Sequence, residues 1–370
     1  MKNLFFLLLA ISFMTCHEKS AENVDNSIEK DTLCVEKAEL TPSYIFQNTI
    51  VYPCKNIEIL PGKNLIYCSS FEISWNKIRD DILKGPVSLN KQISWVDDFN
   101  KAPGNTSISP TFLFAFAGFY NEDIFSGLQA ELKERFNFTY NPDINIKKKD
   151  LLSVAYLKKE IKFSLKLNEE LGYQELCFNE KKDVDFFGRY GSDDSIVSSK
   201  YKIHDYINED DFIFEIETTS PTDEVYLAKV TPEATLDATF QNVKSRINKG
   251  FVEYLGYDDL VKIPFIKFNI QKEFEEVTGA RILNKEFRKY SIGRAIQLIS
   301  FDLNESGIIV ESFAETFAPL SFRSKEPKKL IFDKPFLIIL KEKKKESPYF
   351  LMWVSNTEFM RETQRKRIEY

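Results

Sequence analysis

The sequence predicts an α+β fold, with helices mainly toward the amino terminus, packed on large and mostly antiparallel sheets, and a strand-rich carboxy-terminal third. Three observations predict it. Apolar residues recur at helical spacing in FEISWNKIRDDIL, NEDIFSGLQAELKERF and TLDATFQNVKSRI, all in the first two-thirds of the chain. The last 110 residues instead carry KIPFIKFNI, AIQLISFDL, KPFLIIL and YFLMWVS, short runs rich in β-branched and aromatic residues between polar turns. Helices followed by strands, with no steady alternation, make the α+β pattern.

Each element has its own signal. In the first helical segment Phe71, Trp75, Ile78 and Ile82 fall on one face. In the second, Asn121 is a candidate N-cap, and Phe125, Leu128, Leu132 and Phe136 form a stripe. The third repeats the pattern with Leu236, Phe240, Val243 and Ile247, and Gly250 reads as its stop signal. All three stripes read as core. KPFLIIL and YFLMWVS are apolar at nearly every position, so both faces of each strand should be buried, and KEKKKESP between them reads as a hairpin loop.

The first residues are not part of this core. After Met-Lys-Asn comes LFFLLLAISFMT up to Cys16, a positive start and a short apolar run that describe a secretory signal over residues 1–16. A helix needs roughly 20 apolar residues to span a bilayer, and this run is shorter. FMTC resembles a loose bacterial lipobox, which makes Cys16 the lipidated first residue of the mature protein. Residues 17–40, beginning HEKSAENVDNSIEKDTL, have the polarity of a flexible tether. Residues 41–370 are then one folded domain. The expectation is an exported protein, lipid-anchored at a bacterial membrane, at the outer membrane or cell surface.

Composition narrows the function. A formal charge of −6 argues against nucleic acid, which requires clustered Lys and Arg. Besides Cys16 there are Cys34, Cys54, Cys68 and Cys177, which allow three sets of pairings; a Cys34–Cys54 disulfide would tie tether to body. None of them has metal-ligand spacing, and no glycine-rich phosphate loop is present, so neither metal nor cofactor is expected. The two histidines are His17 and His204, so any Ser-His, Cys-His or His-metal chemistry would fall on His204 alone. Within KIHDYINEDD, His204 reads as solvated. The expectation is a monomer that is not an enzyme.

Three segments, in order, resemble the serpin family. Residues 261–283, VKIPFIKFNIQKEFEEVTGARIL, are similar to the serpin strand "LPKFKIE…DL…LG". Residues 296–307, IQLISFDLNESG, are similar to the strand ending "EVNEEG" that leads into the reactive-centre loop. Residues 331–356 are similar to the closing "F.ADHPFLF…ILFMGRVVNP". LLSVAYLKK resembles "LVNAIYFKG", and KNLIYCSSFEISW is loosely similar to "NVFFSPLSI". The stretch between these last two is several dozen residues shorter than in the family. That implies a reduced amino-terminal helical layer, lacking the helix that crosses the main sheet.

The resemblance implies a bait mechanism. A protease cleaves the loop and forms an acyl-enzyme, and the cut loop inserts as a new strand into the main sheet, releasing stored strain. The matching loop spans about 305–332, with Glu305 at the hinge glutamate and Gly307, Ile308, Val310 and Ser312 following. Strand alternation puts Ile308, Val310, Ser312, Ala314 and Thr316 on one face and Glu311 and Glu315 on the other. Insertion in that register buries no carboxylate, and burying Ile308 and Val310 contributes roughly 1.5–3 kcal/mol apiece. Two bonds stand out as bait: Leu320–Ser321, for a chymotrypsin-, elastase- or cathepsin-like protease, and Arg323–Ser324, for a trypsin-like one.

The chain also departs from the family. Gln297 stands where a histidine is usual near the sheet's opening point, and Ser153 where an asparagine is. Ile161 replaces a tryptophan and Phe265 a lysine, and the usual lysine partner of Glu305 is absent from its matching position. Bulky Ile308 and Val310 stand where small residues speed insertion. The competing expectation is therefore a non-inhibitory serpin-fold binding module for a protein or glycan partner.

Overall fold

Two large sheets, one of five strands and one of eight, organise the chain. The computed structural model describes residues 40–101, 112–139, 150–168, 175–250, 252–306 and 326–363. The signal peptide, the tether up to residue 39, Cys16 and Cys34 lie outside the described residues. So do Gly307, Ile308, Val310, Ser312, Leu320, Ser321, Arg323 and Ser324.

The chain begins with the short strands β1 (Thr41–Pro42) and β2 (Thr49–Val51), then β3 (Asn64–Cys68), buried throughout. Helix α1 (Ser69–Asn76) follows directly and runs into a π-helical stretch, Lys77–Ile82. Together they carry the first stripe, with Phe71, Trp75 and Ile78 buried and Ile82 at the margin. Helix α2 (Ser94–Lys101) adds Trp95, Val96 and Phe99 to the same core. Strand β4 (Leu113–Phe119) leads to α3 (Glu122–Phe136). As the sequence predicts, the Asn121 side chain caps α3, accepting the Ile124 N–H at 2.7 Å.

Next come β5 (Leu151–Glu160), the small hairpin β6 (Cys177–Phe178) and β7 (Lys182–Asp183), and β8 (Phe186–Tyr190). The turn α4 (Ser195–Ser198) precedes the meander β9 (Tyr201–Asn208), β10 (Asp211–Ile216) and β11 (Asp223–Lys229). Helix α5 (Leu236–Ile247) is capped by Thr235. The strand-rich third holds β12 (Glu253–Tyr254), β13 (Leu260–Pro264), β14 (Ile266–Glu273), β15 (Ile292–Leu303) and β16 (Lys329–Ile331). The hairpin β17 (Phe336–Glu342) and β18 (Phe350–Val354) closes it.

The five-stranded sheet has the order β1-β14-β15-β5-β4, and the eight-stranded sheet β12-β9-β10-β11-β17-β18-β3-β2. A three-stranded sheet, β16-β13-β8, stands beside them. The closing hairpin lies inside the larger sheet between two cores, with Phe336, Ile338 and Leu340 in one and Leu337 and Ile339 in the other, which is why both its faces are apolar.

Several expectations need correction. KIPFIKFNI is not one strand: the ladder breaks after Pro264, and β13 and β14 join different sheets. Gly250 does not stop α5, whose last turn closes at Asn248. A Cβ at Gly250 would stand 2.5 Å from the His204 carbonyl oxygen, so glycine is needed there for close backbone approach. His204 is not solvated but buried, its Nε2 2.6 Å from Glu215 Oε2. In the β9–β10 ladder Ile203 pairs with Phe214 and Asp205 with Ile213, leaving His204 as the extra, bulged residue. The bulge turns its ring inward, against Tyr226. Finally, a helix does lie across the main sheet. Phe125, Leu128, Leu132 and Phe136 of α3 share a core with Leu152, Val154 and Tyr156 of β5 and with Ile296 and Leu298 of β15.

Candidate functional site

The centre of the five-stranded sheet is a parallel pair. Strand β5 runs beside β15 from Leu151, opposite Ile292, to Glu160, opposite Asp302. The outer neighbours of the pair, β4 and β14, are antiparallel to it. Parallel ladders are slightly less stable per residue than antiparallel ones. A segment that leaves the end of β15 and folds back would run antiparallel to both central strands. Entering between them would replace one parallel pairing with two antiparallel ones.

Strict alternation gives this seam two different faces. On one face Leu152, Val154, Tyr156, Ile296 and Leu298 lie under α3. On the other, the small side chains of Ser153, Ala155 and Ala295 allow α1 to approach closely. There Ser74 of α1 donates to the Phe116 carbonyl of β4 and shares a 2.7 Å hydrogen bond with Ser153 of β5. From β15, the Gln297 amide donates to the Cys68 carbonyl at 2.8 Å and to Ser70 Oγ at 3.0 Å. Helix α1 is therefore bonded to both sides of the seam, through Ser74 on one and Ser70 on the other. Gln297 and Ser153 are fully buried, and Gln297 Oε1 has no hydrogen-bond partner among the described residues.

The seam runs to Glu160 opposite Asp302, and a tight turn follows β15 there. Asn304 Nδ2 donates to Asp302 Oδ1, and Asn304 Oδ1 accepts the Ser306 N–H, both at 2.8 Å, an Asx-type turn at the start of the loop. The segment after β5 clasps this turn: Ile161 N–H donates to Asp302 O, Phe163 N–H to Ser306 O and Leu167 N–H to Glu305 O. The Glu305 carboxylate faces Lys166 Nζ at 3.9 Å. Phe265 is buried against Phe187, with the Arg361 guanidinium 3.8 Å above its ring. A cavity of about 480 Å³ opens here, lined by Phe265, Leu303, Glu305, Phe359 and Met360 among others.

Past residues 307–325, strand β16 pairs in parallel with β13. Leu260 N–H donates to Lys328 O, Lys328 N–H to Asp259 Oδ1 at 2.7 Å, and Lys329 N–H to the Tyr206 hydroxyl at 3.2 Å. Both ends of 307–325 are thus fixed.

Of the site residues read from sequence, Glu305 lies just past the end of β15, and Gln297 and Ser153 stand on the two strands of the seam. Ile161 is buried just past the end of β5, away from both. Sequence reasoning missed Lys166, Ser70 and Ser74. The run SSFEISW held the serines in plain view, but only strand order shows that they face Gln297 and Ser153. No disulfide joins Cys54, Cys68 and Cys177, and Cys54 Sγ lies 3.9 Å from the Trp95 carbonyl.

No family model and no curated protein matches the sequence. Among solved structures the chain is similar to uncleaved ovalbumin at 14% identity, covering 79% of this chain and 92% of that one, with a TM-score of 0.49. It is similar to native protease nexin-1 with heparin at 11% identity, over 80% and 92% of the two chains, with a TM-score of 0.49. A third likeness is to Serpin48, a highly specific serpin of the insect Tenebrio molitor, at 15% identity over 79% and 74%, with a TM-score of 0.41.

Proposed function

We propose that this chain is a serpin-like protein of the serine or cysteine protease inhibitor class, acting as bait. A protease cuts within 307–325, and the freed strand enters between β5 and β15. One observation carries the reading: the parallel pairing of β5 with β15 at the centre of the sheet, with the proposed bait segment following the carboxy-terminal end of β15. The nucleophile of the reaction is the protease's, and this chain contributes no catalytic group. The leader and Cys16 further support a protein exported and lipid-anchored at a bacterial membrane, at the outer membrane or cell surface.

A second reading is a non-inhibitory binding module for a protein or glycan partner on the same scaffold. It is favoured by α3, whose apolar stripe covers the seam and obstructs insertion. Incubation with chymotrypsin-, trypsin- and papain-like enzymes separates the two. An SDS-resistant adduct together with a raised melting temperature of the cleaved chain supports the bait reading. Clean cleavage with an unchanged melting temperature sinks it in favour of the module.

A further inference from the structure

The turn between β1 and β2 holds two neighbouring apolar side chains in solvent. Tyr44 is 80% exposed and Ile45 55%, and Tyr44 is the most exposed large apolar residue among those described. Apolar residues scattered singly over a surface are ordinary, whereas two in succession on a fixed turn point to something that covers them.

The turn is fixed at both ends. Thr41 and Pro42 of β1 pair with Ile270 and Gln271 at the edge of the five-stranded sheet. Thr49, Ile50 and Val51 of β2 pair with Asn64, Leu65 and Ile66 at the edge of the eight-stranded sheet. Between them Ser43–Ile45 form a single 3₁₀ turn, in which the Phe46 N–H donates to the Ser43 carbonyl at 3.2 Å. Pro42 sets the backbone at its entry. Phe46 faces inward, its ring edge-on to Phe359 with the centroids 4.9 Å apart. Tyr44 and Ile45 are thus presented by a frame that needs no ordering when they dock.

Charge and size decide what kind of partner fits. Residues 40–54, LTPSYIFQNTIVYPC, contain no charged side chain, in a chain of which 29% is Asp, Glu, Lys or Arg. At the flank of the turn, Lys63 donates to Gln47 O and Asn48 Oδ1, and Glu358 accepts from the Asn48 N–H and Thr49 Oγ1, one charge of each sign. Such a surface offers no sign to a polyanion or a polycation. It is also small: a tyrosine and an isoleucine present on the order of 300 Å², against roughly 800 Å² per partner in a stable protein interface. Two such side chains suffice for a bilayer interface, where a tyrosine ring sits with its hydroxyl among the headgroups and an aliphatic tip goes deeper.

We propose that the Tyr44–Ile45 turn is a membrane contact, inserted in the interface of the bilayer that holds the acyl chains of Cys16. The proposal rests on the reading of Cys16 as lipidated. The described body begins at Leu40, four residues before Tyr44, so the turn stands where the anchored end of the chain joins the fold. Anchoring by an acyl chain is firmer with a second membrane contact, and this turn supplies one. It also sets an orientation, with the edge strands β1 and β2 toward the lipid.

The test uses the full lipidated chain, its acyl groups confirmed by mass. It is reconstituted in vesicles of phosphatidylethanolamine and phosphatidylglycerol, with or without brominated acyl chains. Trp75, Trp95 and Trp353 are at most 2% exposed, so native fluorescence should ignore the bromine. Tyr44→Trp should add emission that brominated vesicles quench by about twofold or more, equally at low and high salt. Ile45→Ser in that background should weaken the quenching several-fold. Ile207→Trp, at a position 63% exposed on β9 beside the opposite edge of the eight-stranded sheet, should not be quenched. A Tyr44→Trp chain that bromine leaves unquenched overturns the membrane contact and leaves the lipidation of Cys16 standing. Shielding of that tryptophan from aqueous acrylamide without quenching by bromine assigns the turn to a protein neighbour and overturns the contact as well. A mature chain without acyl mass overturns the anchor and the membrane contact together.

Discussion

Gln297, fully buried in β15, donates its side-chain amide to both the Cys68 carbonyl and the Ser70 hydroxyl. Ser74, one helical turn further along α1, bonds Ser153 across the seam. Opening the sheet must break or slide one of these attachments. Gln297→Leu keeps the volume and removes the donor, at a cost of about 1–2 kcal/mol, softened because Gln297 Oε1 is itself without a partner among the described residues. The variant should melt a few degrees lower. Held at moderate heat without protease, it should convert sooner to a form that melts higher. A variant that melts lower but never converts would show that this contact serves packing alone.

A second buried contact joins the two large sheets. Lys159, at the end of β5, pairs with Asp223 at the start of β11, and the ammonium lies 4.3 Å from the Phe112 ring centre. Asp223 is 2% exposed and Lys159 11%. Removing one partner leaves the other charge buried and alone, so Asp223→Ala should cost about 3–5 kcal/mol. Lys159→Met/Asp223→Leu should recover most of that loss. Urea midpoints at an unchanged slope are the measure.

The Glu215 carboxyl predicts an acid dependence. Burial pushes it up, but hydrogen bonds from His204 and Lys202, with their charges, together hold it below the ordinary carboxylate range. A carboxyl depressed in the folded state contributes stability that is full above its ordinary value and lost as pH falls through the folded one. Melting temperature should therefore decline on the acid side of about pH 4.5. Glu215→Gln should flatten part of that decline, while other depressed carboxyls, Asp80, Asp210 and Glu346 among them, keep the rest. An acid limb identical in both proteins would contradict the assignment.

Local pattern carried the helices. The stripe of α3 and its Asn121 cap lie where spacing puts them, because capping and amphipathicity involve residues within a few positions of each other. His204 was not legible. Its inward turn depends on a bulge opposite β10, and KIHDYINEDD carries no mark of it. The split of KIPFIKFNI was hidden for a related reason: both halves are apolar, and only the sheet partners Asp185–Tyr190 and β15 decide where one strand ends. The contact of Lys166 with Glu305 was not legible either, because the two are distant in sequence and meet only through the clasp after β5.

On the proposed bait reading the seam would also set a rate: the cut strand has to enter before the acyl-enzyme is hydrolysed, and Ile308 and Val310 would lead the entering face. Entry must part β15 from β5, whose outward residues Tyr156, Ile296 and Leu298 are packed beneath α3. Each branched side chain has to pass this packed layer, although burial rewards it once seated at roughly 1.5–3 kcal/mol. Ile308→Thr/Val310→Ala gives up part of that final stability and narrows the moving strand. The variant should form more SDS-resistant adduct per cleavage event, by several-fold, while the melting temperature of its cleaved form falls below that of the native cleaved chain. If adduct yield stays the same while the cleaved form melts lower, side-chain bulk is not what limits entry. The covering helix is then the barrier, and trimming Leu128 to Ala on α3 should raise the yield in its place.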